Sequence, residues 1–305
     1  MQKRQLGQSD LFVTTLGLGC MSLGHDKKTA ESILKTAVEE GINYFDSADL
    51  YDFGENEQII GSALKSVRDK VIIATKAGNR WNEAKDNWSW DPSKAYIKEA
   101  VKASLRRLNT DYIDLYQLHG GTIDDPIDET IEAFDELKKE GIIRYYGISS
   151  IRPNVIREYA AKSKMVSVMM QYSLLDRRPE EEALPLLQQQ QISVVCRGSL
   201  AKGMLSEKML AKASPSVKEN GYLDYSYSEL AELLPALKAP FDRPFNEIAL
   251  QYNLAHPAVA SVIVGASSLE QLKENIRAVR SQPLTDVELD FLRGHTKANK
   301  YVAHR

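Results

Sequence analysis

The chain has 305 residues and a formal charge of −3, from 39 basic and 42 acidic side chains. That balance excludes the basic surface of a nucleic-acid binder and the polybasic segments of a membrane-surface protein. At 43% hydrophobic and 27% charged residues, the composition is that of a folded soluble protein and not of a disordered one.

Residues 3–13 carry the turn signal Gly7-Gln8-Ser9-Asp10 and are expected to form a hairpin. A first strand is predicted at 15–19. An amphipathic helix follows, with the stripe Ala30, Ile33, Leu34, Ala37 and Val38, and Gly41 as its C-terminal cap. The second strand is predicted at 43–46 and the third at 71–76. The third leads into residues 77–90, which hold all three tryptophans, Trp81, Trp88 and Trp90. Asp91-Pro92 fits an N-cap and first helical position for a helix with the stripe Ile97, Ala100, Val101, Ser104, Leu105 and Leu108. The fourth strand is predicted at 113–119, and Gly141 fits the end of the helix behind it. The fifth strand is predicted at 145–149 and the sixth at 167–171. Glu180 to Glu182 read as a solvated helix start. The seventh strand, 193–197, precedes a long insertion at 198–240, and the eighth lies at 261–264. A last stripe runs through Leu269, Leu272, Ile276 and Val279, and a polar tail at 283–305 contains a final helix.

These strands are continuously apolar, which suits parallel strands covered by helices. Eight strand–helix units on one rhythm predict an α/β chain folded as a (β/α)8 barrel of the TIM type. It would form a single domain over 1–305, with an N-terminal β-hairpin and long loops at the C-terminal face. A doubly wound sheet would show the same alternation. No Gly-x-Gly-x-x-Gly follows the first strand, however, and the units exceed what half of such a domain needs.

Cys20 and Cys196 supply neither a disulfide framework nor a zinc ligand set, and read as small core residues. No apolar signal core follows Met1, and no run is long enough to span a membrane, so a reducing cytoplasm is expected. His25, His256, His295 and His304 lack metal-ligand spacing, and no metal site is expected.

On the barrel reading, Asp46, Lys76 and His119 end adjacent strands and Tyr51 follows in the loop after the second. Singly, each has an ordinary role as a cap, a snorkelling cation, a packing ring or a satisfied polar group. Gathered on one face, they form a proton-transfer site. A buried Lys76 cation would lower the pKa of Tyr51, and Asp46 would hold Lys76 charged. Tyr51 could then protonate a carbonyl oxygen, with His119 orienting that oxygen or sharing the transfer. No side chain supplies a hydride, so a nicotinamide cofactor is the natural donor.

With these residues, the sequence resembles the aldo-keto reductase superfamily, including its branch of channel β-subunit-like members. The resemblance runs from about Lys3 to Val279. It rests on Leu16-Gly17-Leu18-Gly19-Cys20-Met21, on Gly41-Ile42-Asn43-Tyr44-Phe45-Asp46-Ser47-Ala48 through Tyr51, and on 71–76, 112–119 and 141–149 in order and spacing. It implies a (β/α)8 barrel binding NADPH in preference to NADH across the C-terminal face. Asp46, Tyr51, Lys76 and His119 would form the tetrad, with Tyr51 as general acid. Ser149, Ser150 and Gln171 would meet the carboxamide, and Gly19, Cys20 and Met21 would border the nicotinamide side. The pyrophosphate would lie under Gly198, Ser199, Leu200, Lys202 and Gly203. Gly265, Ser267, Gln271, Glu274 and Asn275 would meet the adenosine phosphate.

Four features depart from the family pattern, the last being Gly120-Gly121 in place of bulkier residues after His119. Ser150 stands where Asn is frequent. Arg197 replaces an aromatic against the ring, where a guanidinium can stack. The adenosine-phosphate segment lacks strongly basic residues, leaving Ser267 and Gln271 with help from Lys273 or Arg277. Gly120-Gly121 predicts a more open pocket near the carbonyl, and the tryptophan segment is either a substrate wall or packing for its own helix. Arg80 and Arg197 are the cations available to an anionic substrate.

The expected activity is reduction of a small carbonyl substrate by a monomer or small homo-oligomer. The alternatives are an NADPH-binding regulatory or sensor protein and a Schiff-base lyase using Lys76.

Overall fold

The computed structural model describes residues 1–305, the side chain of Lys212 excepted. Eight parallel strands close into a barrel. They are β1 (Leu16–Gly19), β2 (Tyr44–Asp46), β3 (Ile72–Ala77), β4 (Ile113–Leu118), β5 (Ile143–Ser149), β6 (Ser167–Gln171), β7 (Ser193–Arg197) and β8 (Val259–Gly265). Each strand pairs with its neighbours in chain order, and β8 returns to β1 through Gly265 opposite Gly19. All eight lie where apolar, β-branched runs predict them, with shifts of one or two residues at the ends. Gly19 faces Asp46, and Lys76 faces Gln117, so the polar strand ends gather at one rim.

Two apolar layers hold the barrel. Tyr44, Ile72, Ala74, Leu115, Met169, Val195 and Ile263 fill the inside. The predicted N-terminal hairpin forms from Lys3–Gln5 and Phe12–Thr14. Its Leu6, Leu11 and Val13 close the lower end of that inner cluster. Arg4 Nη1 fastens it by donating to the Val259 carbonyl at 2.6 Å. The outer layer lies between strands and helices.

The helical stripes pack as their spacing predicts, with one exception. Leu269 is 38% exposed, because it opens its helix at the barrel rim, where no strand lies beneath it. Gly41 and Gly141 follow their helices with φ of 85° and 75°, and the next amides, Ile42 and Ile142, donate back to Ala37 and Leu137. These are left-handed closures that glycine adopts without steric cost.

The cap at 91–93 differs from expectation. Ser93, not Asp91, caps the helix Lys94–Leu108, accepting from the Tyr96 amide at 3.3 Å. Asp91 is engaged instead by the Ser93 amide and by Arg80. Glu180 is also more than a solvated helix start. Its Oε1 accepts from the hydroxyls of Tyr172 and Tyr252, and its Oε2 from Arg177.

The insertion after β7 contributes the helices Pro215–Asn220 and Tyr227–Lys238. The tail carries the helix Asp286–His295, and Tyr301 lies over the Arg178 guanidinium. Both cysteines are free and buried. No helix is long and apolar enough to cross a membrane.

Candidate active site

Asp46 ends β2, Lys76 is the next-to-last residue of β3, and His119 stands immediately beyond β4. Tyr51 opens the short turn Tyr51–Gly54 that follows β2. Parallel strands ending at a common rim bring the four together. Lys76 is wholly buried, and its Nζ donates to Asp46 Oδ1 at 2.7 Å and to the Ser47 carbonyl at 2.6 Å. Gln117 Nε2 reaches the other Asp46 oxygen at 3.5 Å. The Lys76 ammonium lies 5.2 Å from the centre of the Tyr51 ring.

The Tyr51 ring meets the His119 imidazole nearly perpendicularly, with centroids 5.8 Å apart. Burial, reinforced by the Lys76 and Arg197 charges, pushes the His119 pKa down to about 3. The imidazole is therefore neutral at physiological pH. Its Nδ1 is buried without a partner among the described residues. This favours the orienting role expected of His119 over a share in proton transfer.

A cleft of about 1020 Å³ runs from Asp46 and Tyr51 along the ends of β1, β6, β7 and β8 to the start of the helix Leu269–Arg280. Its volume is at the upper end for small-molecule sites. Most residues expected to hold a cofactor line it. Gly19, Met21 and Asp46 stand on one side. Gln171, Arg197, Gly198, Ser199, Leu200, Lys202 and Gly203 stand on another, and Gly265, Gln271, Glu274 and Asn275 form the far end. Gln171 is fixed on three sides. Its Nε2 donates to the buried Asp176 carboxylate at 2.8 Å and to the Tyr222 hydroxyl, and its Oε1 accepts from Arg197. Because a carboxylate can only accept, Asp176 determines which way the amide points.

Four residues expected to hold the cofactor are not on the cleft wall, and neither are Lys76 and His119. Cys20 is fully buried behind it, with its thiol facing the Leu18 carbonyl, and burial pushes the thiol pKa up. Ser150 is nearly buried, its hydroxyl accepting from the Arg152 amide. Ser149 stands beside it at the end of β5. Ser267 lies just outside, with its amide and hydroxyl both directed at Gln271 Oε1. Of the two cations expected at the adenosine end, Arg277 lines the cleft and Lys273 does not.

The structure adds Met169, Ile263, Tyr222 and Asn246 to the wall. The alternation of side chains along β6 and β8 could have placed the first two. Tyr222 and Asn246 come from the insertion and the helix after it, whose path no local pattern reveals.

None of the tryptophans lines the cleft, and Trp81 and Trp90 pack against other rings and glycines. The Trp90 ring lies over Gly78 and Gly120, where a Cβ would come within 2.6 Å and 3.3 Å of it. Its Nε1 donates to both Asp125 oxygens, at 3.0 and 3.1 Å. Trp81 meets Phe53 edge-on, and Trp88 is half exposed. Gly120 therefore does not open the pocket, because Trp90 fills the space above it, whereas Gly121 has only ordinary contact distances around it. Arg80 is engaged by Asp91 and Glu99.

A dinucleotide suits this cleft on an independent ground. The Ser199 hydroxyl is buried and has no partner among the described residues, and it lies in the wall segment from Gly198 to Gly203. Buried hydroxyls without partners are rare in folded proteins.

Comparison with known proteins agrees with this geometry. The model of the "Aldo/keto reductase family" matches residues 15–297. The uncharacterized oxidoreductase YqkF of Bacillus subtilis (strain 168) is 63% identical over 307 residues, covering 100% of both chains. The NADH-specific methylglyoxal reductase of Escherichia coli (strain K12) is 30% identical, over 98% of this chain and 99% of its own. The solved holo form of aldo-keto reductase AKR11C1 from Bacillus halodurans superposes with a TM-score of 0.94 at 60% identity, over 100% of this chain and 99% of that one. Its apo form gives a TM-score of 0.86. The closed eight-stranded barrel and these likenesses agree, and the chain belongs to the aldo/keto reductase family of oxidoreductases.

Proposed function

We propose that the protein reduces small aldehydes or ketones to alcohols, with a nicotinamide cofactor lying along the cleft and Tyr51 as the general acid. The observation that carries this reading is the buried Lys76–Asp46 pair beside Tyr51 at the end of the cleft. A nicotinamide held in the cleft would supply the hydride. Tyr51 gives its phenolic proton to the carbonyl oxygen. Lys76, held charged by Asp46, stabilises the phenolate left behind. His119, held neutral by burial beside Tyr51, would orient the same oxygen.

Gln171 would hold the carboxamide, the segment Gly198 to Gly203 the pyrophosphate, and Gly265, Gln271, Glu274 and Asn275 the adenosine end. Our reading is NADPH in preference to NADH. Lys202 and Arg277 put cations on the wall, and Gln271 brings an amide to the phosphate end. The setting we assign is the cytoplasm, with residues 1–305 as one barrel domain acting as a monomer or small homo-oligomer.

The lyase alternative needs Lys76 as a neutral nucleophile. Its burial against Asp46 and its raised pKa oppose that. The sensor alternative shares every residue named and differs only in turnover.

The test is steady-state oxidation of NADPH and of NADH against a panel of aldehydes and ketones. Turnover with kcat/KM higher for NADPH supports the reading in full. Higher kcat/KM for NADH would correct the cofactor and keep the reaction. Tight NADPH binding without turnover would favour the sensor.

A further inference from the structure

Tyr51 is followed by three residues with left-handed backbone, Asp52 at φ 48°, Phe53 at φ 48° and Gly54 at φ 89°. Asp52 and Phe53 carry side chains, so this conformation is strained and persists only where surrounding contacts impose it. Arg107, from the helix Lys94–Leu108, supplies those contacts. Its Cδ lies 2.6 Å from the position a Cβ on Gly54 would take. Its guanidinium sits 5.2 Å from the centre of the Trp81 ring, and Trp81 in turn meets Phe53 edge-on at 6.2 Å. Arg107 Nε donates to Glu57 Oε2 at 2.6 Å, and its Nη2 donates to Ser104 Oγ at 3.2 Å.

Glu57 is fully buried, and its other oxygen accepts from Thr75 Oγ1 at 2.6 Å. Thr75 immediately precedes Lys76. One carboxylate thus joins the segment that carries Tyr51, the strand that carries Lys76, and Arg107. A second buried carboxylate, Asp49, lies two residues before Tyr51, within 3.5 Å of the Tyr96 hydroxyl. Burial and the Glu57 charge push its pKa well above the usual carboxylate range, against the pull of Arg107. Neither Arg107 nor Glu57 lines the cleft.

From this geometry we infer that Arg107 and Glu57 are positioning residues for proton transfer, holding the Tyr51 loop against the Lys76 strand. The inference rests on the reduction reading above. It requires that loosening the pair lowers the rate of the chemical step while cofactor binding along the cleft, which neither residue lines, is preserved.

The test uses Glu57→Gln and the double variant Glu57→Gln/Arg107→Met. The double variant removes both charges together, so no unpaired buried charge is left to prevent folding. Wild-type turnover of a carbonyl substrate is measured first. Its absence would remove the reduction reading and this inference with it. The expected result is a tenfold or greater fall in kcat in both variants, with the NADPH Kd from fluorescence titration within twofold of wild type. A wild-type solvent deuterium effect that rises in the variants would place the loss at the proton. A folded double variant with wild-type kcat overturns the inference and leaves the reduction reading intact. A parallel fall in kcat and NADPH affinity also overturns it, by showing that the pair serves the scaffold alone.

Discussion

The Lys76 ammonium donates to the Asp46 carboxylate at 2.7 Å in a position closed to solvent on the lysine side. Burial by itself would lower the Lys76 pKa, but the Asp46 charge, helped by Tyr51, reverses this and raises it. Burial pushes Asp46 up, against the pull of Lys76. At 2.7 Å the ionised pair is the state we assign, with the lysine as a fixed cation beside the Tyr51 ring.

Breaking that pair is costly. Lys76→Met leaves Asp46 buried without its partner, and a stability loss of about 3–5 kcal/mol is expected from urea unfolding. Adding Asp46→Asn should restore much of it without restoring turnover. Full stability in Lys76→Met would mean that water reaches Asp46.

Tyr51→Phe should lower kcat by about 10²-fold or more, the scale of a lost general acid. NADPH affinity should stay within twofold, since only the hydroxyl is removed. Rates near wild type would take Tyr51 out of the reaction.

His119 should remain neutral through the physiological range, because its pKa is pushed down to about 3. The unfolded chain binds a proton at this histidine below its ordinary pKa of 6.5, whereas the folded chain does not until about pH 3. The unfolded state therefore holds more protons in that window. His119 should cost stability progressively as pH falls from about 6.5 towards 3, and none above it. An NMR titration of the His119 ring should show no protonation between pH 5 and 8. A midpoint within that range would overturn the assignment.

The unpartnered Ser199 hydroxyl makes an opposite pair of expectations. Ser199→Ala should leave the melting temperature unchanged or slightly higher, since no hydrogen bond of the free protein is lost. It should weaken NADPH binding about fivefold, the order of one hydrogen bond at about 1 kcal/mol. Unchanged affinity by isothermal titration would remove this hydroxyl from the cofactor site.

What was legible in the sequence was local. Each barrel strand announced itself as a short apolar run, and each helix as a stripe, because burial of one face imposes those periods on neighbouring residues. Once eight such units are read as a barrel, Asp46, Lys76 and His119 fall at one rim by strand geometry alone. The tertiary structure decided which distant side chains meet. Asp91 and Ser93 are both local candidates for one cap, and the competing claim of Arg80 on Asp91 leaves the role to Ser93. Gly120 suggests open space until Trp90, brought back by its hairpin, is found lying on it. Cys20 adjoins Gly19 and Met21 in sequence, yet its thiol turns into the core while they border the cleft. The bond between Glu57 and Arg107 spans 50 residues and exists only because two neighbouring helices pack side by side around the closed barrel. Periodicity reports how much of a residue is buried, whereas the identity of its partner depends on the path of the whole chain.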